Sequence, residues 1–85
     1  MAIPVVVSAD ALVKTGFGKL KGIFCSAAAS TPTLKVWGNV AASGAVLIDT
    51  FTPVAGTYYG PFDMQFKDGL FIDIGNTVTV TVEYE

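Results

Sequence analysis

The side chains able to do chemistry in this 85-residue chain are few: one cysteine, seven acids, five lysines and three tyrosines, with no histidine and no arginine. A hydroxyl or thiol nucleophile needs a neighbouring base to take its proton, and histidine, the usual one, does not occur. Cys25 stands in the apolar run Ile23-Phe24-Cys25, where a free thiol is ordinarily a buried, inert hydrophobe. Paired carboxylates could cleave a glycosidic bond; the candidates are Asp49, Asp63, Asp68, Asp73 and Glu83. Asp68, in Lys67-Asp68-Gly69, fits a turn through hydrogen bonds to its own backbone. The others occur singly on strand-like segments, where a solvent-facing position accounts for them. Zinc would need cysteine or histidine ligands, and calcium a close run of oxygen ligands such as D-x-D-x-D; the chain has neither pattern. Gly16-Phe17-Gly18 is a bare GxG that leads into a strand rather than a helix, so it fails as a nucleotide loop. The residues point to a protein with no catalytic site and no cofactor.

The aromatic side chains could bind rather than react. Trp37, Tyr58 and Tyr59 could form a sugar-stacking platform or anchor a protein interface; alternatively, Trp37 covers one end of the core. Tyr58 and Tyr59 are adjacent, so on a strand they face opposite sides, and at least one is expected to leave its own core.

Composition narrows the setting. The chain is 52% hydrophobic and 14% charged, with a mean hydropathy of +0.59, whereas average globular domains carry about 25% charged residues. A domain this small buries only about 60–65% of its unfolded surface. It is marginal without a staple such as disulfides, a metal or oligomerisation. One cysteine excludes an internal disulfide, which leaves association with other chains. No apolar run approaches the ~20 residues of a membrane-spanning helix, so no membrane partner is expected. The net charge of −2 and the lack of arginine argue against nucleic acid. The N-terminal run lacks a basic segment and is too short for a signal peptide, so it reads as mature protein made in a cytosol.

The elements that must position these residues are strands. From Thr77, Val78, Val80, Val82 and Tyr84 alternate with Thr77, Thr79, Thr81 and Glu83, the period-two pattern of a strand with one buried face. Gly75-Asn76 before it reads as a tight turn. Residues 1–8 read as an N-terminal arm or edge strand, because Pro4 lacks an amide donor. If they form an arm, Ile3, Val5 and Val7 are its contact residues, and the arm can be deleted without loss of the fold. In Lys19–Ser26, Leu20 and Phe24 share one face, with Ile23 and Cys25 on the other. Ala27–Pro32 reads as a loop, since the alanine run is too short for a helix and Pro32 ends it. Thr33–Trp37, Ala45–Phe51, Thr57–Phe66, broken by Gly60-Pro61, and Leu70–Ile74 supply further strands. Turn signals recur every eight to twelve residues, which predicts one all-β domain over residues 9–85. The expected fold is a small antiparallel β-sandwich, jelly-roll-like, of seven or eight short strands.

From Thr15 onward the order of motifs resembles small virion structural proteins of tailed bacteriophages. The motifs are Gly18-Lys19-Leu20-Lys21-Gly22-Ile23, Thr33-Leu34-Lys35-Val36-Trp37, Ala42-Ser43-Gly44-Ala45-Val46-Leu47-Ile48, Phe51-Thr52-Pro53-Val54-Ala55-Gly56 and Gly69-Leu70-Phe71-Ile72-Asp73-Ile74-Gly75. Some similar proteins are capsid cement or decoration proteins, folded as β-sandwiches and clustered as homotrimers on the shell; others sit in tails or fibres. The resemblance implies a non-enzymatic virion component on the capsid surface whose partners are the major capsid protein and other copies of itself. The alternative is a tail or fibre component that binds a receptor or carbohydrate. Ile3, Val5, Val7, Trp37, Tyr58 and Tyr59 are the candidate contact residues.

Overall fold

A computed structural model describes residues 2–85; Met1, the first residue of the expected arm, lies outside the described residues. Seven strands form: β1 (Ile3–Val7), β2 (Ala11–Thr15), β3 (Gly18–Trp37), β4 (Val46–Phe51), β5 (Thr57–Tyr59), β6 (Met64–Phe66) and β7 (Gly69–Tyr84). All pair antiparallel in a single sheet. The all-β antiparallel architecture expected from the alternating, β-branched sequence is the one that forms.

Its organising unit is the ladder between β3 and β7, from Leu20↔Tyr84 to Trp37↔Phe71. The strands in it are long rather than short, with 20 residues in β3 and 16 in β7. The surplus sits in irregularities of β3. Lys21 and Ser26 are each inserted without a partner, and Ser30-Thr31-Pro32 lies opposite the single residue Asn76. Inserted residues bend a strand and increase its twist. The bend is sharpest at Asn76, where Ser30, Thr31 and Asn76 all take positive φ (60°, 50° and 65°). The Asn76 side-chain amide donates to the carbonyls of Ser30 (3.1 Å) and Thr31 (3.2 Å). Two expectations are corrected here. Ala27–Pro32 is strand rather than loop, and Gly75-Asn76 is a corner inside β7 rather than a turn before it. Both look like breaks because their small and polar residues serve a bend that the two strands make together.

The corner divides the sheet into two halves. One holds β1, residues 77–84 of β7, residues 18–29 of β3, and β5 and β6. The other holds β2, the start of β7, the end of β3, and β4. Ile23, Cys25, Val78, Val80 and Val82 from the first half join Leu34, Val36, Leu70 and Ile72 from the second in one core. Gly18, at the start of β3, and Gly38, just past its end, both lie against Phe66, so the strand doubles back on itself. One sheet, folded over its own core, therefore supplies both layers. Full burial of each valine or leucine contributes about 1.5–3 kcal/mol.

The insertion at Lys21 also changes which residues face in. A strict period of two would put Leu20 and Phe24 together. Leu20, Ile23 and Cys25 are instead fully buried, while Phe24 is 39% exposed. The unpaired residue shifts the phase by one, and a one-residue shift exchanges the two faces.

Candidate functional site

Among the described residues no three His, Cys, Asp or Glu side chains group closely enough to hold a metal ion, and no helix is long and apolar enough to cross a membrane. What the structure brings together is on the outside of the sheet. In the first half, Val6, Thr81, Phe24 and Tyr58 are successive register partners across β1, β7, β3 and β5. Val6 is 69% exposed; Phe24 and Tyr58, adjacent to each other, are exposed on the far side of Thr81. The Tyr58 ring lies over Gly22, where an added Cβ would overlap the hydroxyl. That hydroxyl donates to the Glu83 carboxylate at 3.1 Å. Desolvation, and then this bond, raise the Tyr58 pKa above its ordinary value of 10.0. A side chain at position 22 would displace the Tyr58 ring from this place.

The second half carries a matching row. Leu12, Phe71, Trp37 and Val46 are successive partners across β2, β7, β3 and β4. Leu12 and Val46, at its ends, are exposed; Phe71 and Trp37 are half-buried. Along one side runs a charged row, with Asp73 paired to Lys35 in the ladder. Asp49 lies 3.7 Å from Lys35, and Asp10 accepts from the Ile74 amide at 2.7 Å. The Lys35 ammonium sits 4.3 Å from the centre of the Trp37 ring, and the indole N–H donates to Asp73 at 3.4 Å.

The candidate contact residues are therefore dispersed. Val7 is 4% exposed and belongs to the core, and Val5 packs against it. Neither is an outward contact, because pairing of β1 with β7 turns the odd-numbered side chains inward. Ile3 is half exposed at the strand's start. Tyr58 lies on the outer face, whereas Tyr59 packs edge-on against Phe51 at 5.1 Å and its hydroxyl accepts from the Val54 amide at 2.9 Å. Trp37 lies on the outer face of the second half.

Sequence reasoning passed over Val6, Phe24, Leu12, Phe71 and Val46. The signal for Phe71 was present: carrying the even-inward phase of Val78, Val80 and Val82 back past Asn76 puts Leu70 and Ile72 inside and Phe71 outside. The signal for Phe24 was hidden by the Lys21 insertion.

At the open end of the fold, a shallow recess of about 450 Å³ is lined by Phe17, Gln65, Phe66 and Lys67. Phe17 is 75% exposed. Nearby, Asp63 lies 3.0 Å from Lys21 and 3.6 Å from Lys19. The Lys21 hydrogen bond, with the positive charge of Lys19, holds the Asp63 carboxyl below its ordinary 3.8. The same bond raises Lys21 above 10.5.

Comparison of the chain with protein-family models, with curated proteins and with solved structures gives no match.

Proposed function

We propose that this chain is a non-enzymatic structural protein of a tailed-phage virion, a capsid cement or decoration protein that binds between major capsid protein subunits and stabilises the shell. The observation that supports this reading best is the outer row Val6, Thr81, Phe24 and Tyr58, in which Phe24 and Tyr58 are exposed as neighbours and Val6 is exposed on the far side of Thr81, on an 85-residue domain. Exposed apolar surface of this kind, interrupted by a single threonine, marks a binding face. Aromatic residues on such a face are typical anchors. A cement protein needs no reaction. It binds the assembled shell in preference to free subunits, and mass action stabilises what it binds. Repeated copies attach at many points, so modest contacts per copy suffice.

The tail or fibre reading, with a carbohydrate stacked on Trp37, has less support. Trp37 is half-buried, so its ring offers less open face to a sugar than the exposed Phe24 and Tyr58 offer to a protein. The test is the number of copies in purified virions together with binding of the recombinant protein to undecorated shells. Hundreds of copies, and loss of shell binding in Phe24→Asp without a fall in Tm, are expected. A dozen or fewer copies would move the protein to the tail. Full shell binding by Phe24→Asp would remove this face from the proposal.

A further inference from the structure

The second outer face has a pattern that the first lacks. Read across strands β2, β7, β3 and β4, its apolar row is Leu12, Phe71, Trp37, Val46. The charged row beside it places Asp73 on β7 and Lys35 on β3 as direct partners. A two-fold axis parallel to the strands, passing between β7 and β3, exchanges β7 with β3 and β2 with β4. Under that operation Phe71 of one copy lies over Trp37 of the other, and Leu12 over Val46. Asp73 lies over Lys35, twice. The face is thus complementary to itself in both shape class and charge, as an isologous contact requires. The row of Val6, Thr81, Phe24 and Tyr58 gives no such match, since the same operation places no opposite charges together.

We propose that the Leu12–Phe71–Trp37–Val46 face is a homodimer interface in which two copies pack sheet to sheet, with Asp73 and Lys35 paired reciprocally across the axis. Packed sheets lie about 10 Å apart and cross at roughly 30°, so these pairs are nearest neighbours within that twist. Asp10 and Asp49 fall opposite each other at the rim as like charges, where solvent screens them. The face offers fewer side chains than the roughly 20–30 residues per partner of a standard interface. The dimer is therefore reversible and concentration-dependent. The proposal is independent of the virion reading, and its two-fold symmetry differs from the threefold clustering that the family resemblance implies.

Sedimentation equilibrium of the full chain, across about 1 µM to about 1 mM, tests it. The wild type is expected to pass from monomer to dimer. Val46→Lys, at an exposed position, should remain monomeric with an unchanged circular dichroism spectrum. Lys35→Asp and Asp73→Lys each place like charges across the axis and should weaken self-association by roughly tenfold or more. Mixed in equal amounts, those two variants recover opposite charges at both cross-axis positions and should associate with each other more tightly than either does with itself. A wild type that stays monomeric or forms trimers overturns the proposal. So does a Val46→Lys dimer, or a mixture no tighter than its components.

Discussion

Replacing Asn76 tests the corner that makes one sheet into two layers. Its backbone has a φ of 65°, a region where a Cβ costs about 1–2 kcal/mol and which asparagine tolerates better than most residues. Its side-chain amide donates to two carbonyls on the facing strand, those of Ser30 and Thr31. Each such bond contributes roughly 0.5–1.5 kcal/mol net, and solvent exposure places these two toward the lower figure. Asn76→Ala removes both bonds and adds backbone strain, for a loss of about 2–3 kcal/mol. Asn76→Gly removes the bonds but relieves the strain, for a loss of about 1 kcal/mol after the entropic cost of glycine. In a domain of this size 1 kcal/mol corresponds to roughly 4–8 °C in Tm. Alanine should therefore lower Tm by about 8–24 °C and glycine by about 4–8 °C, followed by circular dichroism and checked by urea denaturation. The order wild type, glycine, alanine is the diagnostic result. If alanine is as stable as wild type, or more stable than glycine, the strands do not turn on this residue.

Other consequences follow from burial and charge. Deleting residues 1–8 removes Val7 from the core and the pairing of β1 with β7, so the truncated chain should lose cooperative unfolding; Val7→Ala alone should cost about 2 kcal/mol in urea denaturation. Cys25 is fully buried, and burial raises its thiol above 9.0, so an aromatic disulfide reagent should react with it only as fast as the protein unfolds. Asp63 is depressed below 3.8 in the folded chain, so the unfolded chain takes up the proton first; its stabilising effect is complete above about pH 5 and is lost as pH falls through the lower folded value. Asp63→Asn should flatten that acid limb of the Tm profile, and added salt should reduce the difference, because the carboxylate is exposed to solvent.

How much of this was legible in the sequence depends on whether a strand carries inserted residues. β7 keeps one phase from Leu70 to Val82, with even positions inward on both sides of Asn76. Its valine run is therefore legible in the sequence, and so is the all-β class. β3 carries all the insertions in its ladder with β7. Its phase changes at Lys21 and again at Ser26, and alternation counted from Leu20 puts Phe24 on the wrong face. An inserted residue has no compositional signature: Lys21 and Ser26 are ordinary strand-surface residues, and only the register of the partner strand identifies them. The corner misled for a related reason. Glycine, asparagine, serine and proline mark a reversal of direction when one strand bends alone. Here they occur on two paired strands at the same level, so the ladder bends without ending.

The same geometry explains why the outward apolar residues are harder to find in the sequence than the core. A core position is set by one strand's own phase, and the sequence carries that phase. An outer row is set by the registers of four strands at once. Val6, Thr81, Phe24 and Tyr58 come from widely separated parts of the chain, as do Leu12, Phe71, Trp37 and Val46. The low charge of the chain nevertheless foretold their existence. A single folded sheet has two outer faces and one interior, and the long β3–β7 ladder gives both outer faces to the same pair of strands. With 14% of residues charged, there are too few to cover both faces. The lysines of the first half lie at its open end, where Lys19 and Lys21 engage Asp63. The central row of each face is left uncharged. Adding charge to either row should therefore change association while leaving the folded chain intact, whereas adding it to the valine face of β7 should unfold it.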